Sequence, residues 1–327
     1  VRNDEKKPNE NGPQTDGSFF EYTQRFSTDA ACREYLEAKR WPNGPVCVRC
    51  GGTRVYKLLG KSTRPGLYKC AACRRPFTVT IGTIYEDTHI PLPKWFAATY
   101  LMMTSKKGVS ALQVSRMLGI SNESAWFMMH RIRHAFNKVN KAKRLRGTVE
   151  ADETYVGGKN KPGKRGRGAA GKTIVAAVVQ RGKRVVAQVV PDIKGETLKG
   201  LVQAVVRKGS RVMTDELSSY NGLAKTFKHQ TVNHGKGEYV RGKVHTNTAE
   251  SFFALLKRGI HGTFHHVSAG KLPLYCDEFA FRYDHREVKD GQRFERALDN
   301  PSGRLTWYFK YGGIMKGCSA HVPLDNK

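Results

Sequence analysis

Apolar residues recur at helical spacing in the first third of the chain and at strand spacing through its middle. Phe26-Ser-Thr-Asp29 precedes a helix predicted over residues 30–40; Ser27 or Thr28 can cap it, Asp29 suits its first turn, and Trp41-Pro-Asn-Gly-Pro45 stops it. Further helices are predicted over 92–103, 110–118 and 122–136, the last two joined by Gly119-Ile-Ser121. Two helices about a glycine-containing turn make a helix-turn-helix pattern. A strand is predicted over Thr148–Val156, and a β-hairpin over 173–190 about Arg181-Gly-Lys183. A helix over 196–207 follows, with Leu198, Leu201, Val202 and Val205 on one face. Then come a strand over 210–215, a short helix over 217–224, a brief strand over 231–233 and an amphipathic helix from about His245 to Leu256. The fold class is α/β.

Composition narrows the partners. The 327 residues suffice for two or three domains and a sizeable core. The formal charge of +29, from 57 Lys and Arg against 28 Asp and Glu, would repel itself without a polyanion nearby, so nucleic acid is the expected partner. No apolar run approaches the length of a bilayer span, and no membrane partner is expected. Residues 1–18 are polar, with Pro8 and Pro13; they read as a disordered tail and not as a signal peptide, ahead of a helical arm over 19–45.

Four of the seven cysteines form two close pairs, Cys47-Val-Arg-Cys50 and Cys70-Ala-Ala-Cys73, with nineteen residues between. Each such turn can offer two thiolates to a tetrahedral ion, which predicts a structural Zn²⁺ in a zinc ribbon over 46–90. Four thiolates leave no open position for a substrate. Cys32, Cys276 and Cys318 are scattered, which suits a reducing compartment better than a disulfide framework. Basic residues in the ribbon (Arg49, Arg54, Lys57 and Lys69 among them) suggest DNA contact. In the helix-turn-helix region, 91–140, Arg131, Arg133 and His134 are expected to face phosphates or bases.

Gly166-Arg-Gly-Ala-Ala-Gly-Lys-Thr173 satisfies the phosphate-loop pattern GxxxxGK[ST], but that chemistry needs a helix to start at Lys172. The next residues, Ile174 to Val179, are β-branched apart from two alanines and read as a strand, so an ATPase is disfavoured. Residues 157–172 hold six basic residues and no acid, and are expected to grip DNA through Lys164, Arg165 and Arg167.

Three carboxylates then stand in three settings: Asp152 on a strand, Asp215 at a strand end and Glu250 in the first turn of a helix. Converging acids in so basic a protein suggest a cradle for divalent cations. Strand alternation puts Glu150 on the face of Asp152 and Glu153 on the other, and chemistry alone does not choose among the three. Asp215 also suits a cap for the residues after it, and Glu250 a capping box with Asn247. Lys257, two turns beyond Glu250 on the same face, is positioned to meet DNA.

These features together resemble the insertion-sequence DDE transposases with an N-terminal zinc ribbon, a group related to the Merlin elements. The resemblance is carried by Arg40-Trp-Pro-Asn-Gly44, Gly82-Thr-Ile-Tyr-Glu-Asp87, Val149-Glu-Ala-Asp-Glu-Thr-Tyr-Val-Gly-Gly158, Thr214-Asp-Glu216 and His245-Thr-Asn-Thr-Ala-Glu-Ser-Phe252, and spans about 26–286. Val48 departs from the proline common in the first knuckle. The resemblance implies a ribonuclease H-like catalytic domain, here over 146–290, with Asp152, Asp215 and Glu250 binding two Mg²⁺ or Mn²⁺. It implies cleavage at terminal inverted repeats by metal-dependent hydrolysis, then attack of the freed 3′-hydroxyl on target DNA. His245 and Asn247 are candidates to position the scissile phosphate. A dimer or larger assembly on DNA is implied, acting at the bacterial nucleoid. The alternatives are a catalytically silent DNA-binding regulator derived from a transposase, or a ribonuclease H-like structure-specific nuclease. Residues 291–327 show no clear motif.

Overall fold

The computed structural model describes residues 18–141, 144–157 and 171–299. The expectations for the tail up to Gly17, and for Lys164, Arg165 and Arg167, lie outside these residues. The described chain is mixed α/β. In order it forms α1 (Phe19–Arg25), α2 (Asp29–Arg40), β1 (Val55–Lys57), β2 (Tyr68–Cys70), β3 (Pro76–Phe77), α3 (Leu92–Thr104), α4 (Ala111–Leu118), α5 (Asn122–Lys141), β4 (Thr148–Val156), β5 (Thr173–Gln180) and β6 (Val185–Val190). There follow α6 (Gly195–Val205), β7 (Arg211–Thr214), β8 (Lys228–Thr231), α7 (Asn247–Gly259), α8 (Leu272–Asp284) and α9 (Asp290–Leu298).

Local chemistry explains most ends. The Thr28 and Ser110 side chains accept from the third residue beyond them and start α2 and α4. Gly119 ends α4 in the left-handed conformation, φ +58°, which costs glycine nothing. The expected short helix over 217–224 is instead two 3₁₀ turns, Ser218–Tyr220 and Leu223–Lys225, broken by Gly222 at φ +89°.

One apolar core joins the first half of the chain to its end. Tyr22, Phe26, Cys32 and Leu36 of the arm pack with Cys47, Tyr68, Cys70 and Phe77 of the ribbon and with Trp95, Phe96 and Met103 of α3. Phe294 of α9 closes this core edge-on against Tyr22 and Phe26, with ring centroids 5.2 and 5.7 Å away. Exposed ion pairs Arg25–Glu295 and Lys39–Asp299 flank the contact. The arm, ribbon and helices therefore share packing.

The larger sheet has strand order β6-β5-β4-β7-β8. β6, β5 and β4 run antiparallel, and β4, β7 and β8 parallel. Alternate residues face two cores. Val149, Ala151, Ala176 and Val178 meet Leu198 and Val202 of α6, while Val156, Val175, Ala177 and Val179 meet Phe252 and Leu256 of α7 and Phe279 of α8. Thr173 opens β5 rather than a helix, so the described residues after the glycine-rich motif lack the helix that a phosphate loop requires.

α8 is buried along nearly its whole length, from Leu272 to Tyr283. It stacks Phe281 on Phe136 of α5 at 4.4 Å and accepts Arg133 Nε on Glu278 at 2.6 Å, with both side chains out of solvent. Arg133 also lies 4.1 Å over the Tyr275 ring. Arg131 donates to the Glu86 carbonyl at 2.7 Å and covers Trp95. The expectation that Arg131 and Arg133 face DNA is thus corrected: both are buried and hold α5 to its neighbours. The Arg133 charge is compensated inside the protein by Glu278, where an unpaired one would be costly.

Candidate active site

The alternation of β4 between the two faces of the sheet decides which acids can meet. Glu150 paired with Met213 fixes the β4–β7 register; two residues further along each parallel strand, Asp152 and Asp215 stand side by side. Asp215 follows the last residue of β7 and is buried, with Oδ1 accepting from the backbone N–H of Leu217 at 3.1 Å. It therefore also stabilises the turn after β7, as its second expected role allowed. Oxygens of Asp152, Glu153 and Asp215 lie within 4.8 Å of one another. That separation fits one divalent cation bound at about 2.1–2.4 Å from each oxygen.

Glu153 sits on the opposite face, where Tyr220 donates to its Oε2 at 3.0 Å, yet its carboxylate reaches the cluster. Burial pushes the Asp152 carboxyl up to about 8, and the negative charges of Glu153, Asp215 and Glu250 add to the shift. Crowded carboxylates of this kind repel until a cation neutralises them.

Glu250 is half exposed and stands outside the tightest grouping. It accepts from Thr246 Oγ1 at 3.2 Å and lies 4.0 Å from His234 Nε2. It is close enough to raise Asp152. His234 is tied to the residue after Asp215, because Glu216 accepts its backbone N–H at 2.9 Å.

The first turn of α7 is not closed by Asn247. The capping residue is Thr246, whose side chain makes no cap hydrogen bond. Glu150 does the capping from β4: it accepts from the backbone N–H groups of Thr248 (2.7 Å) and Ala249 (3.0 Å) and from the Thr248 hydroxyl. Arg181 pairs with the same carboxylate and bonds the carbonyls of Lys243 and His245. A buried anion at a helix N-terminus satisfies orphan donors and complements the helix dipole. The α7 that carries Glu250 is thereby pinned to the strand that carries Asp152.

His245 points toward Glu150, with Nδ1 3.3 Å from Oε1 but no hydrogen bond. Asn247 is exposed and Lys257 half-buried on α7. The sequence pattern offered one clue to the clamp, the shared face of Glu150 and Asp152. The contributions of Arg181 and Thr248 come from segments far along the chain.

In the ribbon, β2 pairs antiparallel with both β1 and β3. Cys47 and Cys73 sulfurs are 3.7 Å apart, Cys50 and Cys70 sulfurs 3.6 Å, and all four lie within 4.8 Å. Tetrahedral Zn–S bonds of about 2.3 Å put sulfurs about 3.8 Å apart, so the four thiols fit zinc.

Fold and site together define a mixed α/β protein that carries a four-cysteine ribbon and a carboxylate cluster on adjacent parallel strands. Residues 144–284 match the ISXO2-like transposase domain, and residues 27–76 the transposase zinc-ribbon domain. A protein in transposable element ISH50 of Halobacterium salinarum is 29% identical over 282 residues, covering 80% of this chain and 92% of that one. The chain belongs to the insertion-sequence DDE transposases with an N-terminal zinc ribbon.

Among solved structures, the Mos1 strand transfer complex is similar over 64% of this chain and 79% of its own, at 13% identity and a TM-score of 0.25. The Mos1 paired-end complex with left transposon end covers 63% and 79%, at 13% identity and a TM-score of 0.26. At scores this low these two add nothing to the assignment. No helix among the described residues is long and apolar enough to cross a membrane.

Proposed function

We propose that the chain is a transposase that binds the ends of its element, cleaves them by hydrolysis and joins the freed 3′-hydroxyl to target DNA. The observation that carries this reading is the meeting of Asp152 and Asp215 on adjacent parallel strands, with α7 and Glu250 pinned beside them by Glu150. The strand order, with acids on β4, after β7 and on α7, supports a ribonuclease H-like domain.

Asp152 and Asp215 would hold divalent cations, Mg²⁺ or Mn²⁺, with Glu250 approaching from α7 and Glu153 from the far face. When bound, such ions activate an attacking oxygen and stabilise the leaving one. The chain's own part is positioning: strand register aligns the aspartates, and the buried clamp keeps α7 from sliding. Tyr220 orients Glu153 by its hydroxyl.

The four cysteines would hold a structural Zn²⁺, keeping the knuckle rigid against α2, where Tyr68 bonds Glu37 at 2.9 Å. The net charge of +29 supports DNA as the partner, with the ribbon and the α4–α5 pair reading the terminal repeats. Two ends must be brought together, so a dimer or larger assembly is part of the reading.

The test is incubation of the full chain with end DNA, a target plasmid and Mg²⁺. Nicked ends followed by end–plasmid joints support the reading. Cutting without joining would make it a structure-specific nuclease, and binding without cutting a silent regulator.

A further inference from the structure

The opposite end of the same sheet carries a second concavity, of about 550 Å³, where the chain enters β4 and β7. Three segments form it: residues 146–148, residues 207–211 and Lys228. Main-chain hydrogen bonds hold them together, from Arg211 N to the Gly147 carbonyl and from Lys228 N to the Ser210 carbonyl, both 2.9 Å. Gly147 (φ +80°) and Gly209 (φ +77°) make the two tight entries, and nothing lies within 4 Å of where a Cβ would stand on either. The concavity is therefore open at its turns, not filled by the chain.

Its lining is of one sign. Arg146, Arg207, Lys208, Arg211 and Lys228 all contribute, all are exposed, and no carboxylate lies among the lining residues. None of the five has an ion-pair partner among the described residues. Elsewhere in the molecule arginines beside the sheet are neutralised: Arg181 by Glu150 and Arg184 by Asp284. Five uncompensated cations gathered around one open hollow repel each other unless a polyanion lies across them. A phosphodiester backbone supplies closely spaced negative charges along an extended ligand.

We infer that this concavity binds the phosphate backbone of duplex DNA, at a place separate from the carboxylate cluster. Thr148, at its rim, opens β4 and Asp152 is the fifth residue of that strand, about 13 Å further along. A backbone held here therefore lies beside the carboxylate cluster and not within it. The inference rests on the proposed action on DNA, and adds to it a second point of grip.

The experiment measures the affinity of the full chain for a duplex of arbitrary sequence against salt concentration. The combined change Arg207→Gln, Lys208→Gln and Arg211→Gln is expected to flatten the slope of log affinity against log salt by about 0.9 for each phosphate no longer neutralised. A second variant, Arg207→Lys with Arg211→Lys, keeps the charge and is expected to keep most of the slope, which separates removal of charge from misfolding. A wild-type slope that is steep and unchanged in the glutamine variant would overturn the inference and leave the proposed function standing. A wild type with no salt-dependent DNA affinity would overturn both. Tripolyphosphate binding that the glutamine variant loses, with no change in the DNA slope, would make this a small-anion site and also overturn the inference.

Discussion

The carboxylate of Glu150 accepts both the backbone N–H and the hydroxyl of Thr248, each at 2.7 Å and across 98 residues of sequence. This pair joins the strand of Asp152 to the first turn of the helix of Glu250. Glu150→Ala leaves the first turn of α7 uncapped and Arg181 without its buried partner, and is expected to cost about 3–5 kcal/mol of stability. Glu150→Gln, which keeps the shape and one acceptor oxygen, is expected to cost less. Chemical denaturation of the two variants checks the order; equal stability of all three proteins would show that the clamp holds nothing.

The cluster distinguishes two candidate third acids. Asp215→Asn and Glu250→Gln are expected to abolish strand cleavage while leaving end binding largely intact. Glu153→Gln is expected to weaken metal affinity by about 10–100-fold, the effect of a group that supports the ligands. Cleavage assays over a metal titration read this directly. Full cleavage by Glu250→Gln with none by Glu153→Gln would transfer the third role to Glu153.

Asp152 sets a pH dependence on the metal-free protein. Its carboxyl is raised to about 8 by burial and by neighbouring acids, above its value in the unfolded chain. The folded state therefore holds the proton more tightly, and this group's contribution to stability declines from about pH 4 to pH 8 and is then flat. Asp152→Asn removes the decline. The thermal midpoint of metal-free Asp152→Asn is expected to exceed that of wild type at pH 8, with the gap closing toward pH 4. Melting curves at several pH values test it; a constant gap would mean that Asp152 is not perturbed.

Zinc removal reaches beyond the knuckle. Cys47 and Cys70 are buried in the core that contains Trp41, Tyr68 and Phe77, and structural zinc can contribute about 10–16 kcal/mol to a small metal domain. Chelation is expected to loosen 46–90, shift tryptophan emission and weaken DNA binding. Unchanged emission and affinity after verified metal removal would argue against a structural ion.

Strand spacing was legible where one physical rule acted alone. Thr148–Val156 was read as a strand with its observed limits, the hairpin over 173–190 matches two paired strands, and the β-branched run after Lys172 argued against a phosphate loop. Helix α8 was not legible, because burial on all sides erases amphipathic spacing and its buried Asp277, Glu278 and Arg282 imitate a solvated face. The same ambiguity hides the roles of Arg131 and Arg133: an arginine on a helix looks alike whether it meets phosphate or a distant Glu278. α9 escaped notice because the reason for it, Phe294 against Tyr22 and Phe26, lies at the other end of the chain. Asp152 and Asp215 could be named from motif resemblance, whereas the capping of α7 by Glu150 depends on a contact that no local pattern encodes.

The most direct measurement compares wild type with Asp152→Asn on labelled end DNA and a target plasmid in the presence of Mg²⁺, scoring covalent joints between end and plasmid. Wild type is expected to form them and Asp152→Asn to bind the ends without forming any. Joints of equal yield from the variant, or none from a wild type that binds its ends, would contradict the account.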